Sequence, residues 1–355
     1  MFPVTTITTA AGVSGFTLPS IYMPIAPRSS PHTERAAAEL DAWLVRSGLG
    51  SSSTARQWVT REEHVRLAAL TMPDASAQTL PVIAQWYSWL FAFDDLFDLS
   101  EIGRDRRRSS ALIEGAVGVL PADGGAGACA PASPVEWGLA DLWRRTATGM
   151  PPTWRERFTG HLRAYLRSYT LEIDNRLDGI RTGDIVGYLD MRRDAGATRT
   201  VFDLIEFAQG IEVPAPAHGS AVYQGMLLAA VDTVCITNDI FSYSKERQAG
   251  EESNVLYIAE RFLGCTPQRA VEFVNDLQTT RMKSFERLQQ RLGQVHDLCP
   301  RHRHETEAGV SGLRSWIRGN LDWSRTTRRY APDVDTWGGS RRGWMHEISG
   351  LNPGH

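Results

Sequence analysis

Two short stretches carry side chains suited to chemistry. The first, WLFAFDDLFD at residues 89–98, runs an apolar segment straight into Asp94, Asp95 and Asp98. On a helix Asp94 and Asp98 stand one turn apart on one face, with Asp95 about 100° round. Carboxylates so placed repel one another unless solvent, a cationic side chain or a metal joins them, and hard oxygen ligands select Mg²⁺ or Mn²⁺. The second stretch, NDIFSYSKE at 238–246, sets Asn238, Ser242 and Glu246 at i, i+4 and i+8. They form one stripe that drifts about 40° per step. An amide oxygen, a hydroxyl and a carboxylate suit one octahedral Mg²⁺ that keeps some waters, and Lys245 beside them suits an anion. A solvated acidic helix end is the competing reading of either stretch alone. Two buried helices that both end in such oxygens weigh against it.

Basic residues supply a counterpart. MRRDAG puts Arg192 and Arg193 at the expected end of a helix, and NLDWSRTTRRY brings Arg328, Arg329 and Tyr330. Guanidinium groups hold phosphate oxygens bidentately, and a tyrosine hydroxyl adds a neutral donor. Any one of these arginines alone reads as solvated surface. Together with the carboxylates and an apolar helical interior, they point to a substrate with a diphosphate head and a long hydrocarbon tail. Metal and arginine would assist departure of the diphosphate, and an aromatic pocket would hold the resulting carbocation away from water.

Helices must position these groups. In TWRERFTGHLRAYLRSYTLEIDNRL, Trp154, Phe158, Leu162, Tyr165, Leu166, Tyr169, Ile173 and Leu177 recur at steps of three and four, with arginines opposite. That predicts an amphipathic helix. Segments 81–98 and 221–246 are apolar on nearly all sides until their C-terminal ends, which predicts buried helices. Val310, Leu313, Ile317 and Leu321 predict a helix over about 306–330. On it Asn320, Trp323, Thr327 and Tyr330 share a face, turning Tyr330 inward beside Trp323. No alternating run bounded by hairpin turns signals a strand. LPADGGAGACAPASP at 120–134 reads as a loop. Without an internal repeat or a second composition regime, the expectation is one all-α domain over 1–355. It has about ten or more helices and loose tails at about 1–18 and 345–355.

Composition narrows the class. Apolar residues make up 42% and charged residues 22% of the 355, as in ordinary globular chains, and the net charge of −3 favours no nucleic-acid partner. Cys129, Cys235, Cys265 and Cys299 form no CxxC or CxxH pair, which argues against a structural zinc site and a disulfide framework. The first twenty residues lack the basic and apolar regions of a secretion signal, and LPVIAQWYSWLFAF is too short to span a bilayer. The expectation is a cytosolic protein with no membrane insertion.

In these residues the chain resembles the bacterial class I terpene synthases. DDLFD matches their DDxxD motif, and NDIFSYSKE matches their (N/D)DxxSxx(K/R)E motif at every defined position. Arg192 precedes Asn238 at the distance where the family keeps a diphosphate-sensing arginine, and Arg329–Tyr330 matches its terminal Arg–Tyr pair. RGNLDWSRTTRRY and ADLWRRTATGM are also similar to actinobacterial members. The resemblance covers about residues 20–335.

The resemblance implies a helical bundle around a deep apolar cavity and three Mg²⁺ ions, with Mn²⁺ as a substitute. Asp94 would bridge two ions with Asp98 nearby, and Asn238, Ser242 and Glu246 would hold the third. Arg192, Lys245, Arg329 and Tyr330 would bind diphosphate. Asp95 would hydrogen-bond Arg329 on closure, and Gly196 would sit at a helix break. Phe91 and Trp323 would line the pocket. Ala195 stands where some members carry an aspartate, and Ser324 where relatives can carry histidine. The activity implied is cyclisation of an isoprenoid diphosphate, farnesyl diphosphate first and geranylgeranyl diphosphate as the alternative, and the family often forms homodimers. A chain-elongating prenyl synthase is disfavoured because NDIFSYSKE replaces a second DDxxD. A non-catalytic helical binding protein requires every motif to be accidental.

Overall fold

Helical periodicity becomes helix nearly everywhere the sequence predicts it. The computed structural model describes residues 6–7, 15–61, 63–98, 100–121, 130–180, 183–292, 300–330, 344–345 and 347–350. Its helices are α1 (Thr33–Ser47), α2 (Ser53–Arg61), α3 (His64–Thr71), α4 (Thr79–Asp98), α5 (Arg106–Val119), α6 (Pro134–Ala147) and α7 (Pro152–Asp178). They continue as α8 (Ile185–Ala195), α9 (Thr198–Gln209), α10 (Ala215–His218), α11 (Ala221–Ala249), α12 (Val255–Leu263), α13 (Pro267–Leu292) and α14 (Pro300–Ser324). Two 3₁₀ turns, Glu101–Arg104 and Arg328–Tyr330, follow α4 and α14. The strand content described is one short antiparallel pair, β1 (Thr6–Ile7) and β2 (Phe16–Thr17), with Thr6 opposite Thr17. The fold is all-α.

α4 and α11 are the central helices, as their all-round apolarity demands. α4 buries Trp86, Trp89, Phe93 and Phe97 completely or nearly so, against α1, α3 and α6. Each such side chain contributes roughly 1.5–3 kcal/mol by leaving water. α11 packs most extensively on α13, and also on α14 and α12. Ser220 caps α11 by accepting from the Tyr223 amide, and Gly250 ends it at φ +78°, a backbone region that glycine adopts without strain. By length and composition α11 passes as a membrane span, yet 78% of its most apolar window is buried inside the protein. It is a core helix.

One predicted boundary is wrong. The helix expected over 306–330 begins at Pro300 and stops at Ser324. The last turn tightens there: the Thr326 and Thr327 amides share the Trp323 carbonyl, and the Thr326 hydroxyl accepts from Arg66 and lies within reach of the Asp322 and Trp323 carbonyls. Such local side-chain bonds compete with helix continuation. Tyr330 therefore does not share a helix face with Asn320 and Trp323. Its ring still meets Trp323 edge-on, at 5.7 Å, because the 3₁₀ turn folds back.

Of the tails, residues 1–5, 8–14, 346 and 351–355 lie outside the described residues, as do Cys129, Cys299 and most of the 120–134 loop. Phe16, Leu18, Met345 and Ile348, which fall inside the expected tails, are buried. Cys235 and Cys265 are free thiols.

Candidate active site

The C-terminal ends of α4 and α11 face one another across the mouth of a cavity of ≈ 180 Å³. Asp94 and Asp98 line it from α4, and Asn238, Ser242, Lys245 and Glu246 from α11. Arg192, Gly196, Arg329, Tyr330, Phe91 and Trp323 line it too. Asp95 is the one predicted site residue that does not reach the lumen, being wholly buried behind it.

On the α4 wall the aspartates meet cations and a tyrosine. Asp94 accepts from the Tyr169 hydroxyl at 2.9 Å and from Arg329 Nη2 at 2.9 Å. Asp95 accepts from Arg329 at 3.2 and 3.5 Å, with Lys245 Nζ 4.0 Å away. The Asp95–Arg329 pairing implied by the resemblance is thus present. Arg329 is nearly buried and sits over Phe91, its Cζ 4.4 Å from the ring centre. Asp98 has Arg176 at 3.6 Å. Burial, then repulsion from Asp94 and Glu251, still pushes its carboxyl well above the usual range.

On the α11 wall the donors are held by amides. Asn238 Oδ1 accepts from Arg192 Nη2 at 3.0 Å, and its Nδ2 donates to the Tyr330 hydroxyl at 2.6 Å. Asn254 Nδ2 donates to Glu246 at 2.8 Å and reaches Ser242 at 3.5 Å. Burial and the charge of Asp239 push Glu246 up to about 7, against those hydrogen bonds.

The adjacent arginines part company. Arg192 Nε donates to Asp239 Oδ1 at 3.0 Å, and Asp239 is itself fixed by the Tyr188 hydroxyl at 2.6 Å. Arg193 turns away into a two-pronged pair with Asp232, at 2.7 and 3.0 Å, where Arg281 joins it. Arg192 alone of the two reaches the cavity. The chain then breaks between α8 and α9. Gly196 has an ordinary φ of −79°, but a Cβ there would lie 3.0 Å from Cys235 Sγ and 3.1 Å from the Arg192 carbonyl. Room, not conformation, requires this glycine. The left-handed residue is Ala197, at φ +53°, which an L-residue adopts at a cost.

Below the mouth the lining is apolar and aromatic. Phe91 stacks on Trp323 at 5.6 Å, and Tyr87 and Trp316 form an edge-to-face pair at 6.1 Å. The Tyr87 hydroxyl is occupied, accepting from Trp316 Nε1 at 2.8 Å and bonding Thr71 at 3.0 Å. Leu67, Leu90, Val201 and Val234 fill in the wall.

Several site residues escaped the sequence reading. Glu172 lines the mouth with no hydrogen bond or ion pair among the described residues, and burial pushes its carboxyl up to about 7. Glu251 also lines it, bound to Arg176 at 2.8 Å. Tyr169 carried only a core signal, and Asn254 only that of a helix N-cap, which it also is for α12. Glu172 sits two turns beyond Tyr165 and one beyond Ser168 on α7, so the phase of that helix was its one available signal.

Among the described residues no three His, Cys, Asp or Glu side chains gather tightly enough to hold an ion by themselves. The donors are instead spread over two facing walls. A Mg²⁺-like ion fits that arrangement, since it commonly takes one or two carboxylates and completes its shell with water and substrate phosphate. Burial, with neighbouring carboxylates adding to it, drives the carboxyls of Asp98, Glu172 and Glu246 upward, and a divalent cation among them would favour their charged forms.

Comparison with known proteins gives the same picture. The family described as "Terpene synthase family 2, C-terminal metal binding" matches residues 85–284. Pentalenene synthase of Streptomyces avermitilis is 35% identical over 92% of this chain and 97% of its own. The (+)-T-muurolol synthase of Roseiflexus castenholzii, named as cyclising (2E,6E)-farnesyl diphosphate, is 34% identical over 87% of this chain and 92% of its own. Among solved structures, an α-eudesmol synthase superposes with a TM-score of 0.78 at 29% identity, over 87% of this chain and 99% of its own. Germacradien-4-ol synthase of Streptomyces citricolor does so with 0.76 at 28% identity, over 86% and 100%.

Proposed function

The chain belongs to the bacterial class I terpene synthases, and from that premise we propose that it is a Mg²⁺-dependent cyclase of farnesyl diphosphate. Cyclisation of an isoprenoid diphosphate and binding of a divalent metal come with the family; the ion and the chain length are our reading. One observation carries it. Two helix ends bearing hard oxygen donors face each other over a single cavity whose interior is aromatic and aliphatic. The farnesyl preference is supported by relatives such as the muurolol synthase.

Asp94 and Asp98 would hold two ions on one wall, and Asn238, Ser242 and Glu246 a third on the other. Bound there, Mg²⁺ supplies Lewis-acid charge to the departing diphosphate. Arg192, Lys245, Arg329 and Tyr330 bind the diphosphate oxygens and orient the head group at the mouth. Asp95, buried behind the cavity wall, aims Arg329. Asp239 aims Arg192 in the same way, from a carboxylate held by Tyr188. The faces of Phe91, Trp316 and Trp323 then surround the positive hydrocarbon, and the closed apolar wall keeps water from it.

The test is incubation of purified protein with geranyl, farnesyl and geranylgeranyl diphosphates, each with Mg²⁺ or EDTA, followed by hexane extraction and GC–MS. A cyclic C15 product that needs Mg²⁺ is expected. A cyclic product from geranylgeranyl diphosphate alone would reassign the chain length. Longer diphosphates as sole products would make it a prenyl-elongating enzyme, and silence from intact substrates and folded protein would remove the assignment.

A further inference from the structure

A second cavity, of ≈ 330 Å³, lies behind the wall of the first. α9, α11 and α14 serve both spaces. Val201, Val234 and Trp316 face the active-site cavity, whereas Phe202, Val231 and Leu313 line the second. Phe202 meets Trp316 edge-on at 5.6 Å, so an aromatic pair stands between the two.

Most of this lining is apolar, but one end is not. Tyr223 is only 3% exposed and lines the cavity, and its hydroxyl has no hydrogen-bond partner among the described residues. The hydroxyl opens onto the cavity, where it can donate to and accept from whatever occupies it. Gly309 on α14 makes room for it, since a Cβ there would lie 3.2 Å from the hydroxyl and 2.7 Å from Val213. His218 is the neighbouring polar group, its ring 5.4 Å from that of Tyr223. Gln224 Nε2 faces His218 Nδ1 at 3.3 Å as a donor, which leaves the ring proton on Nε2. Burial, aided by Arg157, pushes His218 down to about 4, so the ring is neutral at pH 7.

The charged groups at this end are closed on one another. Arg157 donates to Asp203 at 2.9 Å and to Glu206 at 2.6 Å. The remaining oxygens take His161 Nδ1 at 2.7 Å and the Val213 amide at 3.1 Å. No carboxylate oxygen is left without a partner to attract a cation. Beside Tyr223 what remains open is a hydroxyl and a neutral imidazole, while Arg199, half-exposed elsewhere on the lining, is approached by Asp194 at 3.8 Å.

We propose that this cavity is a binding site for a small neutral amphiphile, an apolar body with one hydroxyl seated at Tyr223 and His218. A hydroxyl both donates and accepts, which suits that pair. An apolar cavity of about 150 Å³ takes benzene, so this one takes on the order of a dozen heavy atoms. The inference does not depend on the metal or the substrate assigned to the active site.

Isothermal titration of the full chain tests it, with geraniol as probe, myrcene as the hydrocarbon lacking the hydroxyl, and decylamine as the cation. Wild type, Tyr223→Phe and Leu228→Trp are compared, the last filling the cavity from α11. Geraniol binding should be lost in Leu228→Trp and weakened about 3- to 10-fold in Tyr223→Phe, the worth of one neutral hydrogen bond. Myrcene should bind Tyr223→Phe and wild type alike. Unchanged geraniol binding in both variants would put the probe in the active-site cavity and overturn the proposal, as would no binding at all. Tighter binding of decylamine would overturn the neutral assignment. Should circular dichroism show Leu228→Trp unfolded, the geraniol–myrcene contrast in Tyr223→Phe decides alone.

Discussion

Two buried clusters in this protein set one guanidinium between two carboxylates, and they serve different ends. At one end of the second cavity Arg157 joins Asp203 and Glu206, and each carboxylate oxygen has its partner. At the mouth of the first, Arg329 joins Asp94 and Asp95, but further acids crowd in without matching cations. Glu172 is unpaired among the described residues, Asp98 has only a 3.6 Å approach from Arg176, and Glu246 rests on an amide. The lesson is that acidity does not make the site. Surplus oxygens facing a cavity do, because a closed cluster has nothing left to offer a cation.

The largest effect that separates the clusters is on turnover. Asn238→Ala combined with Glu246→Ala should lower kcat by at least about a hundredfold while far-UV circular dichroism stays helical, since it removes two of the three oxygen donors of one wall while Arg192 keeps Asp239 and Asn254 keeps its cap of α12. Retained turnover would erase the distinction. Next is stability. Asp203→Asn leaves Arg157 short of a buried partner and should cost about 3–5 kcal/mol in denaturant unfolding, with kcat of the folded protein kept. Asp95→Asn, against nearly buried Arg329, should cost both stability and turnover.

A smaller effect concerns ligands. Mg²⁺ alone should hardly move the melting temperature, because no ready-made cage exists among the described residues, whereas Mg²⁺ with inorganic pyrophosphate should add about 2–3 kcal/mol near a hundredfold excess over Kd. Equal stabilisation by Mg²⁺ without pyrophosphate would contradict the split-wall arrangement. The smallest effect is a pH slope beside the closed cluster. His218 titrates near 4 in the fold against 6.5 ordinarily, so the unfolded chain takes the proton first. Stability present above pH 6.5 is therefore lost as pH falls from about 6.5 to about 4. His218→Gln should flatten that decline, read as the difference in melting temperature between pH 7.5 and 5.

Much of the site was legible because its motifs are helical and local. Asp94 with Asp98, and Asn238 with Ser242 and Glu246, share faces by the 3.6-residue period, whatever packs on them. The choice between Arg192 and Arg193 was not legible. Neighbours on a helix point about 100° apart, and only the seating of α8 against α11 sends one to Asp239 and the other to Asp232. Tyr330 reached Trp323 by a turn that its threonines impose, not by the helix that periodicity suggested. Tyr169 read as core, and neither Glu172 nor Asn254 drew any reading.

By itself, then, the sequence determined which oxygens ride together on each helix end, and that both ends close buried, apolar helices. Those are properties of single segments, set by backbone geometry and the transfer of side chains from water. The tertiary structure decided which acids are left short of cations, which arginine enters the cavity, and that a second cavity with an unpaired tyrosine hydroxyl lies behind the first. Pairing and desolvation depend on groups from distant parts of the chain. Their energies exist only after the helices have docked.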